Sequence, residues 1–364
     1  VGSGPYKFDR FLVEDGQVTG VILTANDAYR PRRPFIDQVV FRYYPDAPSL
    51  FAAYKAGEVL GLSQVPPEIL PAALQEPNLN LYTGRLPELT LIFLNLDNRE
   101  VPFLADPSVR RALMLALNRQ GLIDRLLGGQ AILADGPLFP GTWAYFPSNE
   151  NLGYDPNAAV ELLKSAGYTI PASGGSVRAK EEIPLALTLS YPTGELYASF
   201  AEAIQRYWTQ IGVEVTLEPL SYADLVDERL TPRAYHAALV DLNLAHSPDP
   251  DPYPFWHQAQ ANSGQNYAKW DDRQASEYLE QARIALDLEE RARLYRNFQI
   301  RFAHELPALP LYYPVYTYAV DTQVLGVQMG PLFSPTDRLA HLPNWFLRAR
   351  LGPAHHRPHR RAHG

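Results

Sequence analysis

Through the first 45 residues, apolar positions alternate with polar ones or gather in short runs. Residues 6–12 and 18–23 form two such runs around a polar turn at Glu14-Asp15-Gly16, and residues 37–44 form a third. This spacing predicts three strands. Asp46 then caps a short helix in which Leu50, Phe51 and Tyr54 share a face, ended by Gly57. Residues 89–96 are apolar almost throughout and predict a buried strand.

Beyond residue 105 the period lengthens to that of a helix. Asp106-Pro107 is a start signal, an N-cap carboxylate followed by proline at the first helical position. Val109, Leu113 and Leu117 recur four apart until Gly128-Gly129. Asp155-Pro156 repeats the device, with Leu162, Leu163 and Ala166 turned inward and Gly167 as the stop. Residues 183–191 read as a strand, and residues 195–211 as a helix with Phe200, Ile204, Tyr207 and Trp208 on its apolar side. Gly212 stops that helix, and residues 213–217 form the next strand. The unit is βαβ, so its strands are parallel with a right-handed crossover. A helix over 222–230 and a strand over 235–242 extend this α/β region.

Residues 243–270 show no such period. A stretch of this length is uncommon inside a compact domain and is usually functional or disordered. Tyr253, Phe255, Trp256, Tyr267 and Trp270 within it argue for order. Helices over 272–286 and 289–305 and a strand over 309–320 follow. Residues 348–364 hold arginines and histidines but no acids, and read as a disordered basic tail.

Composition narrows the function. A chain of 364 residues is long for one core and suggests two lobes. A net charge of −8 argues against a general nucleic-acid binder, and the lack of cysteine excludes disulfides and thiolate metal sites. No apolar run is long enough to cross a membrane. Proline (33) and tyrosine (22) are abundant, as in a loop-rich fold with aromatic walls for polar organic ligands. Residues 1–8 have neither the pattern of a signal peptide nor an initiator Met, and read as if cut from something longer.

Enzyme and cofactor signatures are missing: no H-E-x-x-H, G-x-S-x-G, P-loop or G-x-G-x-x-G. His236, His246, His257, His304 and His341 show no metal-ligand spacing except for His246 and His257, eleven residues apart, where a structural or pocket role outweighs a metal site, so neither cofactor nor metal is expected. The informative segment is His246-Ser-Pro-Asp-Pro-Asp-Pro-Tyr-Pro-Phe-Trp256. Its prolines fix φ and predict a stiff extended rim directly after a parallel strand, where open α/β sheets bind ligands. Asn243, His246, Ser247, Asp249, Tyr253 and Trp256 are the candidate ligand contacts, with Trp143 and Tyr191 as neighbours from the same lobe. The same loop could instead brace the lobe against its two C-terminal helices.

In this order the motifs resemble the large peptide-, nickel- and oligosaccharide-binding proteins of ABC importers. Residues 1–8 are similar to that family's G-T-G-P-Y-x-F block. Asn26, Tyr29, Pro34, Asp37 and Phe41 follow its next stretch, and Ala56-Gly57-Glu58-Val59 its A-G-E-V-D element, with Leu60 in place of Asp. Asn95, Pro102-Phe103, Asp106, Val109-Arg110 and Ala112-Leu113 match its signature "N-x-x-x-x-P-F-x-D-x-x-V-R-x-A-L". Tyr154-Asp155-Pro156, Ala166-Gly167-Tyr168, Gly212-Val213 and residues 309–313 continue it to about residue 346.

The resemblance implies a two-lobe periplasmic-binding-protein-like α/β clamshell of type II. Residues 1–92 would form a partial β-rich lobe I, 93–315 lobe II, and 316–347 the return to lobe I. Hinges would fall near residues 91–95 and 312–316. Such proteins trap a peptide or similar small polar solute in an interlobe cleft as monomers and deliver it to membrane permease subunits, outside the cytoplasm or on a lipid anchor. The family's first 150 or so residues, which carry the export signal, have no counterpart here, leaving the first lobe incomplete. Its ammonium-binding Asp position is His246 and its neighbouring Trp position Asn243, which disfavours an α-amino group there. Nickel–chelate or oligosaccharide binding is the alternative within the fold. A hydrolase using Asp249 and Asp251 is the distant one, and turnover would reveal it.

Overall fold

A computed structural model describes residues 3–30, 32–148, 150, 152–245 and 249–348. The chain divides into two compact units, Val1–Gly84 with Thr317–Gly364 as unit 1 and Arg85–Tyr316 as unit 2.

Unit 1 opens with a hairpin of β1 (Tyr6–Glu14) and β2 (Gln17–Ala25). Asp15 and Gly16 turn it with φ of 50° and 79°, the left-handed pair that a two-residue hairpin of native twist demands. β3 (Gln38–Arg42) pairs antiparallel with β2. Helix α1 (Ala47–Lys55) is capped by Asp46, whose carboxylate accepts from the Ser49 N–H at 2.7 Å. β4 (Gly61–Leu62), α2 (Leu70–Ala73) and β5 (Leu79–Arg85) follow. Phe51, Tyr54, Leu62, Val65, Ile69 and Leu79 make a small core.

Unit 2 begins at β6 (Glu88–Leu94), which is paired to another strand of the unit along its whole length. The division between the two compact units falls at Gly84–Arg85, just before this strand. After β6 come α3 (Pro107–Leu115) and α4 (Arg119–Leu126). The sequence suggested one continuous helical segment here. Asn118 divides it, because its side chain accepts from the Gly121 N–H at 2.9 Å and caps a second helix. Next are β7 (Ala131–Leu133), α5 (Pro156–Ser165) and a small hairpin of β8 (Ala179–Lys180) and β9 (Ile183–Pro184). The βαβ unit is β10 (Ala186–Pro192), α6 (Glu195–Gln210) and β11 (Glu214–Leu220), with parallel register from Ala186↔Glu214 to Pro192↔Leu220. Then come α7 (Tyr222–Asp224), which continues as a wider π-helical turn at Leu225–Leu230, and β12 (Ala237–Asn243). A short α8 (Tyr253–Trp256), the long α9 (Arg273–Ile284) and α10 (Leu288–Glu305), and β13 (Ala308–Asp321) complete the unit.

Within unit 2 the strand order is β11-β10-β12-β6-β13. β12 is parallel to β10 and antiparallel to β6, so its carboxyl end lies beside that of β10. Both faces of this sheet are covered. On one face Leu189, Leu239 and Ile92 pack with Phe200, Ile204 and Trp208 of α6. On the other, Leu91 and Phe93 pack with Trp256, Phe298 and Phe302. Arg110, 3% exposed, donates to the backbone oxygens of Leu104, Ala105, Glu305 and Leu306. Burial lowers its pKa to about 10, so it remains a cation while satisfying a helix end that would otherwise be unpaired. The far half of β13 returns to unit 1, where Ala319 and Val320 pair with Leu62 and Gly61. β14 (Val324–Leu325) and β15 (Phe346–Leu347) pair beyond it.

Candidate functional site

Side chains alternate along β12. Ala237 and Leu239 belong to the α6-side core, and Ala238, Val240 and Leu242 to the other. Asp241 therefore falls on the α6 side, at the carboxyl end of the strand. It lies directly opposite Thr90 of β6, and Asn243 lies opposite Glu88. All four side chains consequently share one face. Thr90 Oγ1 donates to Asp241 Oδ1 at 2.5 Å. The Tyr197 hydroxyl of α6 donates to Oδ2, and the Tyr222 hydroxyl donates to the backbone oxygen of Asp241 at 2.9 Å. Tyr312 of β13 is paired across from Thr90 on its other side.

This is a pair of carboxylates inside a ring of phenols. Burial, and after it the charge of Asp241, raises the pKa of Tyr197 and Tyr312, so both remain neutral. Tyr222 is raised by the same two causes in the same order. Glu88 is raised too, first by burial and then by the charge of Asp241. Two like charges in a partly desolvated place repel each other. Such a place rejects an anion and is relieved by a cation. Among the described residues, no group of three or more His, Asp or Glu is placed to hold a metal ion.

On the opposite side of the sheet the proline-rich loop is tied down by arginines. Asp249 accepts from Arg291 Nη2 at 2.8 Å, and Asp251 accepts from Arg283 Nε at 2.8 Å. The Arg283 guanidinium lies 3.6 Å from the centre of the Tyr253 ring, and that ring stacks on His257 at 4.0 Å. Arg291 also lies over Trp143, 4.9 Å from its centre. Both arginines belong to the helices α9 and α10, so the loop braces the sheet to that pair.

The family described as "Bacterial extracellular solute-binding proteins, family 5 Middle" matches residues 1–288. The chain belongs to this family. It is 27% identical over 351 residues to the oligopeptide-binding protein AppA of Bacillus subtilis (strain 168), covering 95% of this chain and 62% of that protein. With di/tripeptide-binding protein 2 of Pseudomonas aeruginosa (strain UCBPP-PA14) it shares 29% over 339 residues, 91% of this chain and 59% of the other. The structure of AppA from Bacillus subtilis in complex with a nonapeptide superposes with a TM-score of 0.72, covering 96% of this chain and 67% of that one. The chain thus spans about three fifths of the length of the curated relatives it matches. Its units 1 and 2 belong to the two-lobe α/β fold of those relatives.

In this family-5 chain, the residues proposed from sequence fall on two different faces. Tyr191, 7% exposed on β10, and Asn243 lie on the face of Asp241. The Asn243 carboxamide accepts from the Ala245 N–H at 2.7 Å. Asp249, Tyr253 and Trp143 lie in the brace on the other side. Trp256 is 1% exposed and packs on Phe302 with ring centres 4.7 Å apart, so it offers a ligand no surface. The rim is also not extended throughout. Proline's φ suits the first turn of a helix as well, and Pro252 and Pro254 start α8, which rolls Trp256 inward. His246 and Ser247 lie outside the described residues. Sequence reasoning missed Glu88, Thr90, Asp241, Tyr197, Tyr222 and Tyr312. One signal was available, an acid at position 241 interrupting an apolar strand.

Proposed function

We propose that the chain is the solute-capturing part of an ABC-importer receptor, which binds a peptide or similar small polar solute and passes it unchanged to membrane permease subunits. It acts outside the cytoplasm, in the periplasm or anchored at the outer face of the membrane, as a monomer. Family membership and the peptides named for its relatives support this reading. The observation that carries it is the Asp241–Glu88 pair ringed by Tyr197, Tyr222 and Tyr312, at the carboxyl end of parallel strands where α/β sheets receive ligands. A carboxylate already accepting two hydroxyl hydrogens keeps lone pairs for a third donor. The α-ammonium of a peptide is a cation with three donors, and it would relieve the repulsion between the two acids. In this role Asp241 takes over the charge that His246 does not supply.

Calorimetric titration of the chain with di- to pentapeptides, each with a free and an acetylated amino terminus, tests this. Free peptides should bind more tightly, and Asp241→Asn should weaken them about tenfold, ~1.4 kcal/mol, while leaving acetylated ones unchanged. Equal binding of both forms, indifferent to Asp241→Asn, would remove the acid pair from the site. Release of hydrolysed peptide would replace the receptor with an enzyme.

A further inference from the structure

The Asp241 face holds one acid more than a peptide's α-ammonium can neutralise. Asp241 and Glu88 are neighbours on the diagonal of the β12–β6 pair, since Asp241 lies across from Thr90 and Glu88 across from Asn243. Residues so placed on one face of a sheet stand about 7–8 Å apart. The two carboxylates are not equally provided for. Asp241 accepts the Thr90 and Tyr197 hydroxyls, and the Tyr222 hydroxyl holds its backbone oxygen. The Glu88 carboxylate has no hydrogen bond or ion pair among the described residues.

Other part-buried acids of unit 2 have a cation of the chain beside them. Glu218 on the neighbouring strand β11 is paired with Arg229 at 2.7 Å, and Asp272 with Arg301 at 2.8 Å. Around Asp241 and Glu88 the arrangement differs. The charges felt by Glu88, Tyr197, Tyr222 and Tyr312 come from acids and phenols, and no lysine, arginine or histidine is among them. A carboxylate kept partly out of water without a counter-charge is costly, so Glu88 holds its proton more tightly than an ordinary glutamate. Two acids without a cation of their own leave that cation to the ligand.

An α-ammonium on Asp241 supplies one positive charge, and a second must reach Glu88. In a peptide, the nearest group able to carry it is the side chain of the first residue. Lysine bears its ammonium on a flexible four-carbon stem, and arginine its guanidinium on an arm of similar reach, which suits that diagonal. The wall suits such a stem as well. Tyr222 feels the charge of both acids and is 44% exposed, so its ring offers an apolar surface and a face that attracts cations. An acidic first residue would add a third negative charge, and a neutral one would leave Glu88 unpaired. We propose, on the receptor reading above, that Glu88 determines specificity for the first side chain and that the site selects peptides beginning with lysine or arginine.

Calorimetric titration of the full chain compares three tripeptides with free amino termini. They are Lys-Ala-Ala, its norleucine-first analogue, which keeps the stem and lacks the charge, and Ala-Ala-Lys, which carries the same net charge elsewhere. Lys-Ala-Ala should bind about tenfold more tightly than either, the scale of one hydrogen bond to a charged group. Glu88→Gln should remove that preference. Equal affinity of the unsubstituted chain for Lys-Ala-Ala and the norleucine analogue overturns the proposal. So does equal affinity for Ala-Ala-Lys, since the negative charge of the whole chain would then attract any cationic peptide. Tighter binding of cadaverine, which has the two ammonium groups and no peptide bond, overturns it as well, because the solute would be a diamine. Failure of the receptor reading is distinct: acetylation of the amino terminus would leave every affinity unchanged, and the proposal would fall with it.

Discussion

The two units bury their aromatic residues very differently. In unit 2 the sheet is sandwiched, and Phe93, Phe200, Phe298 and Phe302 are at most 1% exposed. In unit 1, Phe8, Phe11 and Tyr43 stay more than half exposed, and the core reduces to a cluster around Phe51, Tyr54 and Leu62. Both units obey the same local rules of strand alternation, turns and caps. The difference lies in supply: both faces of the unit 2 sheet are packed by helices of residues 85–316, whereas among the described residues the β1–β3 sheet leaves Phe8 and Phe11 exposed. Local rules settle the elements, and coverage settles stability.

The largest expected effect comes from making one substitution in both units. Phe302→Ala should cost about 3–5 kcal/mol, since it opens a cavity between Trp256 and Trp270. Phe11→Ala should change stability by no more than about 0.5 kcal/mol, and should reduce aggregation. Urea denaturation followed by tryptophan fluorescence measures both. Equal costs would mean that unit 1 is as well covered as unit 2.

A smaller effect tests whether the proline loop is held by its charges. Asp249→Asn should cost at most about 1 kcal/mol, because the Arg291 pair is partly solvated and screened. It should speed amide exchange at residues 251–256 without altering peptide affinity. Loss of affinity would return Asp249 from the brace to the ligand wall.

The smallest effect is a pH profile. Glu88 is raised in the folded state by burial and by Asp241, so the folded protein holds its proton more tightly than the unfolded chain. Its stabilising contribution is full below the unfolded value and is lost as pH rises through the folded one. A cationic ligand needs the ionised form, so affinity for a free-amino peptide should rise with pH across that same window. Glu88→Gln should flatten both slopes, as read by calorimetry from pH 4.5 to 7.5. Unchanged slopes would place the titration elsewhere.

Much of the architecture was legible because its signals are local. Asp46, Asp106 and Asp155 were read as caps and are caps, each accepting a backbone N–H in the first turn. The βαβ order followed from Gly212 between the α6 pattern and the next apolar run, and Gly212 indeed sits at φ 91°. The candidate site was harder, since it is assembled from strands far apart in sequence. Thr90 and Asp241 meet only through sheet register, and Tyr197 reaches them from a helix whose outward and inward tyrosines look alike in sequence. The proline loop was hard to read for the opposite reason. Its composition is conspicuous, yet proline is compatible with both an extended rim and a helical first turn, and only packing against Phe93 and Phe302 chose the second for Trp256.

The β4–β13 pairing also fixes an order of events. Leu62 finds its partner at Ala319, and the Tyr54 hydroxyl its acceptor at Asp321, 3.1 Å away. On a ribosome adding roughly 5–20 residues per second, the early partner waits on the order of 10–50 s for the late one. Throughout that interval β4 stands without its partner strand, while the strands of unit 2 that are already made can pair among themselves. Slowing translation over residues 85–316 should lengthen the wait of Leu62 and Tyr54 for their partners and leave the finished fold the same.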